Sequence, residues 1–93
     1  MRALFLAAGV ASWFIPPPMY GSMHVCASNT IPISTRILIR WNGRQTDCTI
    51  IGTGPFRRGR ILDVSESVAR ALGFLSRGTA FVRIYQLPKR SMP

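Results

Sequence analysis

The stretch "TRILIRWNGRQTDCTII" (35–51) does most to narrow what this chain can fold into. Two β-rich runs flank Asn42-Gly43, the dipeptide favoured in a two-residue type I′ turn. Pairing across that turn sets Trp41 opposite Arg44, Ile39 opposite Thr46 and Ile37 opposite Cys48. Because strand side chains alternate, Ile37, Ile39 and Trp41 share one face, with Leu38 and Arg40 on the other. A hairpin is therefore expected at the centre of the chain.

Other strands gather around it. "GVASWF" (9–14) reads as the first, ended by Pro16-Pro17-Pro18, which force an extended connection. From there to Thr30 the chain is loop-like. A Gly-Thr-Gly-Pro turn (52–55) leads to a short strand through Ile61 and Leu62. "DVSESVARALG" reads as one helix, about 64–72, with Val64, Val68 and Leu72 at i, i+4, i+8 and Gly73 as terminator. Asp63 or Ser65 can serve as its N-cap, and Asp63 with Glu66 has capping-box spacing. A last strand, "TAFVRIY" (79–85), alternates Phe81 and Arg83 against Val82 and Ile84, and 88–93 reads as a loose tail. Mostly β, with one short helix, a chain of this size escapes exposed sheet edges by closing into a small barrel.

The 93 residues make one small domain, and a hydrophobic share of 47% calls for a packed core. The net charge is +9, which favours nucleic acid, acidic lipid or an anionic envelope polymer without choosing among them. Nucleic acid is the least favoured, because the arginines are scattered and no recognition helix or aromatic RNA motif is present. Cys26 and Cys48 lack metal-site spacing, and His24 is the only histidine, so no four-ligand zinc site can be built. The two cysteines form either one disulfide or two buried thiols. At the N-terminus, Arg2 followed by "ALFLAAGVASWFI" has the look of a short leader, so 1–8 is either a leader remnant or the start of the first strand. The apolar run is too short to span a bilayer.

Taken in order, "GVASWF", "CASNTIPISTRILIRWNGRQ", "GPFRRGRILDVS", "VARALGF" and "GTAFVRI" resemble the rare lipoprotein A family, whose barrel is shared in outline with expansins and barwin-like proteins. The most specific run is GPF-x-x-GRI-x-D-x-S followed by ALG. The resemblance implies a six-stranded double-psi β-barrel over 9–87. It also implies an exported protein of the periplasm or cell envelope, acting as a monomer on peptidoglycan glycan strands or another wall polysaccharide. The better-known members of the family are lytic transglycosylases, so no cofactor is expected, and related barrels place a functional aspartate where Asp63 stands. Here Gly52-Thr53 replace the family's usual Asp-Arg, and Asn29 stands where a histidine is common.

The chain has only three acidic residues, Asp47, Asp63 and Glu66. A hydrolytic glycosidase normally needs two carboxylates flanking the scissile bond, and no good pair is on offer. A lytic transglycosylase needs one, acting first as acid on the glycosidic oxygen and then as base on the sugar's own 6-hydroxyl. Asp63 is the candidate for that role, with a plain helix cap as the rival reading. Arginines or a helix N-terminus would lower its pKa, and burial against Phe56, Ile61 and Leu62 would raise it. Asn29, Tyr20, Thr53, Gly54, Pro55, Phe56 and Arg60 are the expected substrate-binding residues, with Trp13, Phe14 and Trp41 as further aromatics. Ser12 and Ser65 have no base nearby in sequence and are poor nucleophile candidates. The alternative to an enzyme is a wall-binding barrel that has lost the chemistry.

Overall fold

A computed structural model describes residues 2–88. Six strands run in chain order: β1 (Leu4–Phe14), β2 (Val25–Ala27), β3 (Arg36–Trp41), β4 (Arg44–Gly52), β5 (Arg60–Ser65) and β6 (Thr79–Gln86). One helix, α1 (Glu66–Leu72), and two single 3₁₀ turns, Pro18–Tyr20 and Leu75–Arg77, complete the set. The strands close into a barrel in the order β1-β5-β2-β4-β3-β6, with β6 returning to β1. Closure gives every strand two neighbours, although the first half of β1 and the first half of β4 are paired on one side only.

The hairpin forms in the expected register, with Trp41 opposite Arg44, Ile39 opposite Thr46 and Ile37 opposite Cys48. Asn42 (φ 51°) and Gly43 (φ 77°) are both left-handed, as a type I′ turn requires. Alternation then sorts the strands into an inside and an outside. Ile37, Ile39, Ile50, Leu62, Val64, Val82 and Ile84 fill the barrel, each at most 1% exposed. On β6, Phe81 and Arg83 point out while Val82 and Ile84 point in. Helix α1 packs onto the core through Val68, Ala69 and Leu72. Its end is set by Gly73, which adopts φ 93° and donates its N–H to the Ala69 carbonyl at 2.9 Å. Phe74 follows, fully buried and edge-on to Trp41 at 6.0 Å.

Three expectations need correcting. First, β1 begins at Leu4 rather than Gly9, because its early residues pair with the end of β6 (Leu4 with Gln86, Phe5 with Tyr85). Pairing, not burial, extends the strand: Leu4 and Phe5 are exposed. Second, the helix starts at Glu66, and Asp63, Val64 and Ser65 belong to β5, where parallel pairing with β1 outcompetes the extra helical turn. Third, the loop-like stretch before Thr30 contains β2, whose Val25 and Cys26 are buried between β4 and β5. Three residues are too few to show alternation. The tail expected at 88–93 lies, beyond Pro88, outside the described residues. No helix of the described residues is long and apolar enough to cross a membrane.

Cys26 on β2 and Cys48 on β4 are joined in a disulfide across adjacent strands, with a Cα–Cα distance of 6.2 Å. The bond fixes the shortest strand to one of the longest. It closes a separation of 22 residues, which in a chain-entropy account is worth roughly 3 kcal/mol. Replacing both cysteines with alanine is expected to lower the unfolding free energy by about that amount, read as a drop in the urea midpoint; an unchanged midpoint would show the bond to be dispensable.

Candidate functional site

Register delivers Asp63 to its place. β5 runs parallel to β1, and Asp63 is the partner of Ser12. The Ser12 hydroxyl donates to Asp63 Oδ1 at 3.0 Å. The half-buried carboxyl lines an open cleft of about 380 Å³. Ser12 and Trp13 of β1 form one wall, and Arg60 stands beside the carboxyl. The β4–β5 loop, from Thr53 to Arg57, supplies the rest of the rim. Asp63 is therefore a strand residue facing a cleft, not the cap of α1. Ser65 occupies the cap position, but its hydroxyl accepts from the Val25 N–H and bonds to Met23 and Ser67 instead.

Electrostatics distinguish Asp63 from the other two acids. Asp47 lies 3.6 Å from His24 Nδ1 and 3.7 Å from Arg36, out in solvent. Glu66 pairs with Arg70 one turn along α1 at 3.5 Å. Among the described residues Asp63 has no such ion pair. Burial pushes its carboxyl above the usual aspartate range, outweighing the Ser12 hydrogen bond and the charge of Arg60, which both pull it down. The opposing effects weighed from sequence thus resolve upward. Half-burial leaves the group reachable while making its neutral form easier to hold.

The loop above it is held by Asn29, just beyond β2. Its side-chain oxygen accepts from the Gly54 N–H at 2.9 Å, and its amide donates to the Pro55 carbonyl at 2.6 Å. The neighbouring Ser28 N–H donates to the Gly52 carbonyl at 3.1 Å. Asn29 thus acts on the rim rather than lining the cleft. Gly54 has φ 133°, and the Gly54–Pro55 peptide bond is cis.

Of the expected binding residues, Thr53, Gly54, Pro55, Phe56 and Arg60 meet around Asp63. Tyr20 does not line this cleft; it ends the Pro18–Tyr20 turn. Trp41 packs on Phe74 with Arg77 over its ring, and Phe14 ends β1 without lining the cleft. The aromatics of the cleft are Trp13 and Phe56. Trp13 is fixed by a hydrogen bond from its indole N–H to the Leu75 carbonyl at 3.0 Å. Phe56 is 86% exposed, so its ring is available to stack on a ligand. His24 is tied to the start of β4 through Thr46 and Asp47. Among the described residues no group of three His, Cys, Asp or Glu could hold a metal. Sequence reasoning missed Ser12 as the partner of Asp63, since parallel pairing across 51 residues leaves no local signal. Arg57 also lines the cleft.

Similarity to known proteins follows this geometry. The profile of the family described as "Lytic transglycolase" matches residues 6–84. The endolytic peptidoglycan transglycosylase RlpA of Neisseria meningitidis serogroup A is 40% identical over 70 residues, covering 72% of this chain and 29% of that protein. The chain thus spans less than a third of the length of that relative. Among solved structures, the apo expansin of Clavibacter michiganensis superposes with a TM-score of 0.75 at 14% identity, covering 92% of this chain and 52% of the expansin. A mutant of that expansin in complex with cellohexaose gives a TM-score of 0.74 at 13% identity, covering 99% and 54%. At that identity the likeness is one of fold, and it is the double-psi β-barrel. With nearly the whole barrel matched, the chain belongs to the lytic transglycolase family, that of the RlpA proteins.

Proposed function

We propose that this barrel cleaves peptidoglycan glycan strands as a lytic transglycosylase, with Asp63 as the single acid/base. The observation that carries the reading is the state of Asp63: a carboxyl free of ion pairs among the described residues, shifted toward its neutral form, and facing an open cleft. In its neutral form it gives its proton to the glycosidic oxygen as the C1–O bond breaks. The resulting carboxylate takes the proton of the C6 hydroxyl of the same sugar, whose oxygen closes on C1. The product is a 1,6-anhydro sugar, and no water is consumed. Ser12 holds the carboxyl through Oδ1, and Oδ2 is the oxygen left to act as acid and base. Phe56 and Trp13 provide ring faces for the strand, and Arg60 and Arg57 are placed to meet its carboxylates.

The names of the relatives support the substrate, and the disulfide supports an oxidising, extracytoplasmic setting. A non-catalytic wall-binding barrel is the second reading. It is favoured by the commitment of Asn29 to the loop, which leaves Asp63 without a second acid or a histidine in the cleft.

Incubation with purified peptidoglycan separates the two. Wild-type protein is expected to release anhydro-muropeptides and Asp63→Asn to lose at least about a hundredfold of that rate, the usual scale of an acid/base contribution. Equal release by both, or release by neither, would reject Asp63 as the acid.

Stability should report the same shift. A raised folded pKa means that the stabilising neutral form is fully present below the unfolded value and is lost as pH rises through the folded value. The Tm of Asp63→Asn should therefore gain on that of wild type as pH climbs from below about 4. A gap that is constant, or that closes, contradicts the shift. Asn29→Ala is expected to cut turnover about tenfold or more by freeing the rim, with a Tm change of only a few degrees. Unchanged turnover would make the two Asn29 hydrogen bonds irrelevant to the cleft.

A further inference from the structure

The outer wall of the barrel carries an arrangement that the fold does not explain. Arg40 on β3 and Arg83 on β6 are directly opposite one another in antiparallel register. Both are exposed. Like charges facing each other across a ladder destabilise a sheet. No side-chain carboxylate of the chain relieves them: Asp47 is engaged by His24 and Arg36, Asp63 faces the cleft beside Ser12, and Glu66 pairs with Arg70. The acid inventory ends there, at three.

One member of the pair is also oriented. Arg40 donates from Nε to Gln45 Oε1 at 3.0 Å and lies over the Tyr85 ring at 5.4 Å. Tyr85 is in turn edge-on to Phe5 at 5.6 Å. Arg40, Arg83, Gln45 and Phe81 line one open concavity of about 470 Å³, together with the Asn42–Gly43 turn. Phe81 is 65% exposed within it. Two guanidinium groups on neighbouring strands, one braced on an aromatic ring, suit a single bidentate anion such as a carboxylate.

The concavity and the cleft share a strand. On β6, Thr79 pairs with Ser12, the partner of Asp63, and Phe81 pairs with Val10. Arg83 lies four residues from Thr79 on the same outward face, about 13 Å along the strand. A strip thus leads from Asp63 past Phe81 to the arginine pair.

We propose that Arg40 and Arg83 form a distal subsite that grips a carboxylate of the same glycan strand held in the cleft, with Phe81 under the intervening ring. The inference rests on the reading of the substrate as a carboxylate-bearing glycan. The pair is held at some expense in stability, and the bound anion removes the repulsion.

The experiment measures retention on insoluble polymer, in an Asp63→Asn background so that nothing is cut. The polymers are purified peptidoglycan, the same material with its carboxyls amidated, and chitin. R40Q/R83Q is expected to bind native peptidoglycan roughly tenfold more weakly than its parent, the scale of one charge-assisted contact. Amidated peptidoglycan and chitin should bind parent and variant alike. R83Q alone keeps the Arg40–Tyr85 stack, should melt no lower than its parent, and should still lose part of the retention. Equal retention of parent and variants on native peptidoglycan overturns the proposal, as does an equal loss on the amidated material. Retention by duplex DNA that the same substitutions abolish, with none on peptidoglycan, overturns it in favour of nucleic acid. Release of anhydro-muropeptides by protein with Asp63 intact reads the cleft separately, so either site can fail without the other.

Discussion

The position of β1 between β5 and β6 is the constraint on which the rest of the molecule depends. One edge of that strand pairs parallel with β5 and the other antiparallel with β6, and this double pairing turns six strands into a closed wall. Closure gives each strand two neighbours and surrounds a core made mostly of aliphatic side chains. The same pairing brings Ser12 to Asp63 from 51 residues away. The cleft is thus a by-product of closing the barrel. The Ser12–Asp63 contact cannot be moved without moving the first strand.

What was legible in the sequence was whatever has a local cause. Asn42-Gly43 dictated its turn through backbone conformation alone, and the register from Trp41–Arg44 to Ile37–Cys48 followed by counting. Inside and outside of β6 followed from alternation. Gly73 marked the end of α1. What could not be read was non-local. β2 owes its existence to neighbours on both sides, and Asp63 looked like a helix cap because its rival partner, Ser12, sits at the far end of the chain. Asn29 could be seen as polar and close to the site, but not as a clamp. Tyr20 was assigned to the groove on chemical type, and the fold carries it elsewhere. The family pattern located Asp63; only geometry could say what surrounds it.

The scarcity of carboxylates gives the molecule an unusual simplicity. With two acids committed to arginines or histidine, the third is left to burial, and burial is the largest influence on it. The arginines, by contrast, are too many to be neutralised within the chain. Their placement on exposed strand faces and at the cleft leaves the surface strongly positive, a field that attracts negative charge.

The disulfide has a consequence for the cleft that its own position does not suggest. β2 is three residues long, and Cys26 at its centre is the covalent tie to β4. Asn29, three residues after Cys26, holds the loop that carries Thr53, Gly54, Pro55 and Phe56. Loop, clamp and strand therefore form a short mechanical chain anchored at a sulfur–sulfur bond. Loss of that bond would leave the strand behind the clamp held by backbone pairing alone, so a change in redox surroundings would reach the rim of the cleft.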